Sequence, residues 1–210
     1  MTNEDERTNT EIQKVTLTLH NAINCDDMFL RCSNLTDVDL TLPHATSCND
    51  MFRNCPNLTN VKLDAPMATE FFQLFSSASS LKTVDLNLPK AINCGNLLAG
   101  TDLTSAKVNL PNATNCWNMF HMCYHLSSIE LDLPSASYCV NMFYLCEDLT
   151  DVVLNLPKLS DYSNMFRYCS SLETIDVTIP TSIVNDFKTY VLGLNLKNLT
   201  SFKINGEEQL

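Results

Sequence analysis

The sequence predicts an α/β solenoid of about eight stacked turns, each 23 residues long, and three observations carry that reading. Proline recurs at positions 43, 66, 89, 111, 134, 157 and 180, steps of 23, 23, 22, 23, 23 and 23. Each proline ends a short run that alternates apolar and polar residues, the pattern of a half-buried strand. Each is followed by a polar turn and a second apolar element of the form Cys-x-Asn/Asp-Met-Phe-x-x-Cys. Self-similarity at such a period marks units that bury their apolar faces only by stacking on one another.

Residues 1–11 read as a polar, acidic tail, and the repeat register begins at Ile12. The run Ile12, Val15, Leu17, Leu19 recurs as Leu35, Val38, Leu40, Leu42 and again as Leu58, Val61, Leu63. Asp39, Thr41, Lys62 and Asp64 are the outward partners, and proline ends each strand because it lacks a ladder donor. In the second element the Asp or Asn slot holds Asp27, Asp50, Asn96, Asn118, Asn141 and Asn164, with Gln73 the exception. Placed before an apolar pair, this residue reads as the N-cap of a short helical turn. Met51 and Cys55 would then share one inward face.

The copies differ in informative ways. The third replaces Cys and Met with Phe71, Phe72, Leu74 and Phe75, and the fourth uses Leu97 and Leu98. The fourth is also one residue short between Thr101 and Leu103, which marks it for a local change in curvature. The solenoid is assigned to residues 12–180. Over residues 181–210 the pattern changes: Ile183, Val184, Phe187, Val191 and Leu192 have helical spacing, then Leu199, Phe202 and Ile204 restore a strand. This reads as a terminal cap, with NGEEQL a solvated tail.

The ten cysteines follow the repeat rather than a disulfide framework. Cys25, Cys48, Cys94, Cys116 and Cys139 share one slot with Phe71 and Tyr162. Cys32, Cys55, Cys123, Cys146 and Cys169 share another with Ala78 and Thr101. Slots that accept such substitutes are packing slots, so ten buried, reduced thiols are expected.

At this point the residues resemble a known family. Met-Phe-x-x-Cys-x-x-Leu-x-x-Val-x-Leu-x-Leu-Pro, fullest at residues 28–43, 51–66 (with Ala65 at the last leucine), 119–134 and 142–157, is similar to the BspA-like (Treponema-type) leucine-rich repeat. The resemblance covers residues 12–180. It implies a right-handed solenoid with a parallel sheet on the concave side and short helices on the convex side. Its members are often surface proteins that bind other proteins or host molecules.

Composition narrows the function. A net charge of −11 argues against nucleic acid and anionic membrane as partners. Apolar runs of three or four residues are far short of a bilayer span. MTNEDERTNTEIQ has neither a basic nor an apolar leader region, so a cytoplasmic or other non-secreted location is expected, a surface or virion setting being a further option. No phosphate loop, nucleophile elbow or zincin motif occurs, and buried thiols are inert. No catalytic residue, cofactor or metal is therefore expected. His121 and His125 have ligand-like spacing but fall in slots read as solvent-facing.

Two surfaces remain as candidates. The outward concave row reads Asp39, Lys62, Asp85, Lys107, Glu130, Val153, Asp176, with signs alternating over five strands so that each Lys sits between carboxylates. A second row holds Asp64 and Asp132 among Asn and Thr residues. These acids suit a basic protein partner. The alternative is an edge patch of Phe72, Trp117 and Tyr138. The expected function is a non-enzymatic protein-interaction module, and the alternative is a structural subunit of a larger assembly, such as a virus or phage particle or a homo-oligomer.

Overall fold

A computed structural model describes residues 11–210. The N-terminal tail expected over residues 1–11 thus lies, apart from Glu11, outside the described residues. Strands β1 (Lys14–Thr18), β2 (Asp37–Thr41), β3 (Asn60–Asp64), β4 (Thr83–Asn87) and β5 (Lys107–Asn109) pair in that order as one parallel sheet. Strands β6 (Ser128–Asp132), β7 (Asp151–Asn155), β8 (Thr174–Thr178) and β9 (Ser201–Ile204) form a second parallel run. Register follows the repeat, with Val38 opposite Val61 and Leu40 opposite Leu63. Those side chains are buried, and their polar neighbours in each strand face out.

The convex side departs from expectation. Helical turns were expected there, and the chain instead makes tandem tight turns bonded from copy to copy. The N–H groups of Asp27, Phe29 and Arg31 donate to the carbonyls of Asn49, Met51 and Arg53 one copy on. The residues between them bond three positions back, as Leu30 does to Asp27. The Asp or Asn slot is therefore no N-cap. Asp27, Asp50, Gln73, Asn96, Asn118, Asn141 and Asn164 all stand in the left-handed region, at φ between 53° and 59°. Asn and Asp tolerate that region better than other non-glycine residues, which accounts for their recurrence.

The core is a set of ladders. Phe29, Phe52 and Phe75 stack at 5.3 Å, with ring planes within 5° of parallel. Phe120, Phe143 and Phe166 repeat the arrangement at 5.5 and 5.8 Å. Copy four holds Leu98 in the same slot, so the phenyl ladder breaks there. That copy, one residue short, also carries the shortened β5, and no strand pairing joins β5 to β6. One copy thus interrupts both the sheet and the ring stack.

After Pro180 a short 3-10 turn (Thr181–Ile183) leads into α1 (Val184–Gly193), which buries Phe187 and Val191. Tyr190 ties it to the last turn, its hydroxyl accepting the Phe166 N–H at 2.8 Å. The final residues are not simply a solvated tail. Asn205 and Gly206, both at positive φ, turn the chain so that β10 (Glu207–Glu208) pairs antiparallel with β9. Asn-Gly is the favoured pair for a two-residue hairpin turn.

Candidate functional site on the concave face

Three outward rows cross the concave strands. The central row is Thr16, Asp39, Lys62, Asp85 and Lys107 on the first sheet. On the second sheet it continues as Glu130, Val153, Asp176 and Lys203. Lys62 meets Asp39 at 3.7 Å, Lys107 meets Asp85 at 3.4 Å, and Lys14 meets Asp37 at 3.3 Å. All are solvent-exposed pairs, which water and salt screen strongly. The expected run of alternating signs over five strands is corrected in one respect. Because β5 and β6 do not pair, Lys107 has a paired carboxylate on the Asp85 side only.

The flanking rows are hydrogen-bond ladders. Asn87 donates to Asp64 at 2.7 Å, Asn109 to Asn87 at 3.0 Å, and Asn155 to Asp132 at 2.7 Å. On the other flank Asn60 donates to Asp37 at 3.1 Å and Thr174 to Asp151 at 2.6 Å. Donors on Thr36, Asn60 and Lys14 hold the Asp37 carboxyl below its usual pKa, and those on Thr174 and Thr150 do the same for Asp151.

The two sheets differ in how their acids are met. On the first, three ion pairs neutralise Asp37, Asp39 and Asp85, while the Asp64 carboxylate is met among the described residues by the Asn87 amide alone. On the second, Glu130, Asp132, Asp151 and Asp176 enter no ion pair among the described residues. Val153 lies between Glu130 and Asp176 and is 46% exposed. Asp151 was missed in the sequence because it opens its strand, one position before the alternation used to find outward slots.

The edge patch comes together only in part. Phe72 and Trp117 stack at 6.1 Å across the intervening copy. Gly95 lies between them in the same slot, and a β-carbon there would collide with the indole Nε1. Trp117 thus fills the space left by Gly95, and both rings are half-buried. Tyr138 is exposed in a neighbouring row, bridged to Asn115 and Asp161.

The histidines separate. His121 is half-buried with its ring 5.2 Å from Tyr144, and burial lowers its pKa, which corrects the solvated reading. His125 is exposed, with Nδ1 3.0 Å from Asp148 and Nε2 3.7 Å from Asp102, and these carboxylates raise its pKa. Proton NMR is expected to place its midpoint above the ordinary histidine value and to bring it down in Asp148→Asn. Because the folded pKa is the raised one, the contribution to stability is full below the ordinary value and is lost as pH rises through the folded midpoint. A midpoint unmoved by Asp148→Asn would contradict this pairing.

All ten cysteines are buried. In the second slot the thiols also donate to backbone carbonyls, as Cys55 does to Phe29 at 3.0 Å and Cys169 to Phe143 at 3.0 Å. Thr101 differs: its hydroxyl donates to the Leu98 carbonyl three residues back in its own copy, at 2.8 Å, and it is Cys123 of the next copy that makes the thiol bond to Leu98, at 3.2 Å. Burial pushes the Cys55 and Cys169 thiols up to about 12 and Cys123 to about 11, so none of these is a ready nucleophile. Among the described residues no group of three His, Cys, Asp or Glu side chains is placed to hold a metal, and no helix is long and apolar enough to cross a membrane.

The model of a BspA type leucine-rich repeat region, six copies long, matches residues 7–115 and again 116–208. No curated protein and no solved structure matches the chain.

Proposed function

This chain belongs to the BspA-type leucine-rich repeat family, and from that scaffold we propose that it is a non-enzymatic protein-interaction module that receives a basic partner segment on the concave face of its second sheet. The observation that carries the reading is the difference between the two sheets. Among the described residues Glu130, Asp132 and Asp176, set around an exposed Val153, enter no ion pair, although Lys203 stands beside Asp176 in the row. A partner's Lys and Arg side chains would complete them, and an apolar side chain would rest on Val153. Such complementarity sets on-rate and partner choice more than raw affinity. The ten buried thiols support a reducing, non-exported setting.

The test is binding of a labelled Lys/Arg-rich peptide to wild type and to the triple variant Glu130→Gln, Asp132→Asn, Asp176→Asn. The variant is expected to keep its fold, because Ile129, Leu131, Ile175 and Val177 beneath remain unchanged. It is expected to bind about tenfold or more weakly, with a flatter salt dependence. Equal binding by variant and wild type would contradict the assignment.

A second reading, a structural subunit or homo-oligomer, is favoured by the outer edge of β1. That edge pairs with no strand among the described residues, and Leu17 on it is 48% exposed. A monomeric mass by light scattering at micromolar concentration supports the module, and a concentration-dependent multimer supports the subunit.

A further inference from the structure

The convex turn contains a second left-handed position, and its occupants change along the solenoid. The first four copies place Arg31, Asn54, Ser77 and Gly100 there, and the last three place Met122, Leu145 and Tyr168, at φ of 61°, 63° and 67°. Bulky side chains are outliers in this region, and backbone strain collects at ligand clamps. Burial does not explain the choice, since Met122 is 36% and Tyr168 50% exposed.

This row ends at a cleft of about 540 Å³ between the last convex turn and the loop after α1. Tyr168, Leu194 and Leu196 supply apolar wall, and Asn198 closes one end by donating to the Ser170 carbonyl at 3.3 Å. The only charged residues lining it are Arg167 and Lys197. Neither enters an ion pair among the described residues. The Arg167 guanidinium sits 5.0 Å from the centre of the Tyr168 ring, with one long hydrogen bond of 3.4 Å to Asn164. In a chain of net charge −11, this is an apolar cleft with a purely cationic rim.

We propose that this cleft binds a short acidic segment of a partner protein, with an apolar side chain packed against Tyr168 and Leu196 and a flanking carboxylate held by Arg167 and Lys197. A guanidinium matches a carboxylate through two parallel N–H bonds, and an aromatic beneath it holds its plane. The site prefers the opposite charge from the concave face, so the two surfaces stand or fall separately.

The experiment is fluorescence anisotropy on the full chain with labelled acidic heptapeptides carrying a central Leu, Phe or Tyr, beside counterparts with Lys in place of each acid. Saturable binding of the acidic set alone is expected. Arg167→Glu combined with Lys197→Glu should weaken it by about tenfold or more. The Glu130→Gln, Asp132→Asn, Asp176→Asn variant should bind these peptides as wild type does. Tyr168→Gly should lose binding while the circular dichroism spectrum stays that of wild type, because glycine adopts positive φ freely. The ring lost packs only edge-on against Tyr144 at 5.2 Å and beneath Arg167, so this separates loss of the ring from loss of the fold. No saturable binding by any acidic peptide, equal binding of the Lys counterparts, or indifference to the charge reversal would each overturn the proposal. Self-association abolished by the same reversal would assign the cleft to a second copy and overturn it as well.

Discussion

Phe52→Ala is expected to destabilise the protein by about 3–5 kcal/mol, read from the urea midpoint. The ring is fully buried, and Phe29 and Phe75 lie on its two faces at 5.3 Å. The copy-to-copy bond from Phe52 N–H to the Leu74 carbonyl, 2.9 Å long, fixes the backbone spacing from which those rings project. The stack cannot close over a lost ring without breaking such bonds, so a cavity remains. In a solenoid each unit contacts only its neighbours, and a hole in the middle also weakens the coupling of the copies on either side. A loss below about 1 kcal/mol would mean that the turns slide to fill the gap.

Phe187→Ala is the second large effect, again about 3–5 kcal/mol. Phe187 is the junction through which α1 closes the array. Its fully buried ring lies 4.9 Å from Tyr162, 6.1 Å from Tyr190, 6.4 Å from Phe202 and 6.5 Å from Phe166. The location of the damage distinguishes this variant from Phe52→Ala. Amide exchange is expected to rise first in β8, β9 and α1, with β1–β4 protected as in wild type. A uniform rise along the whole chain would contradict the quasi-one-dimensional account.

The strands were legible because one copy contains their signal. Val38 and Leu40 alternate with Asp39 and Thr41, and seven repetitions remove any ambiguity of period. The convex turns were not legible in the same way. Met51, Phe52 and Cys55 have the spacing of a helical stripe, and Asp50 before them fits an N-cap as well as a left-handed turn. The choice is made by bonds to the next copy, such as Phe52 to Leu74, which local pattern does not encode. The hairpin at Asn205–Gly206 was written in its dipeptide, and polarity alone hid it. At the concave face the sequence supplied the carboxylates and the short fourth copy. It did not supply the missing pairing between β5 and β6, which leaves Glu130 with a paired neighbour, Val153, on one side only. Likewise Trp117 read as an exposed anchor, because its role over Gly95 appears only once three copies are stacked.

The most direct test of the interaction reading is an amide NMR titration of the full chain with the Lys/Arg-rich peptide, which reports where contact occurs as well as whether it does. Saturable shifts are predicted over residues 128–132, 151–155 and 174–178, centred on Val153. Shifts confined to the edge around Phe72, Trp117 and Tyr138, or none that saturate, would contradict it.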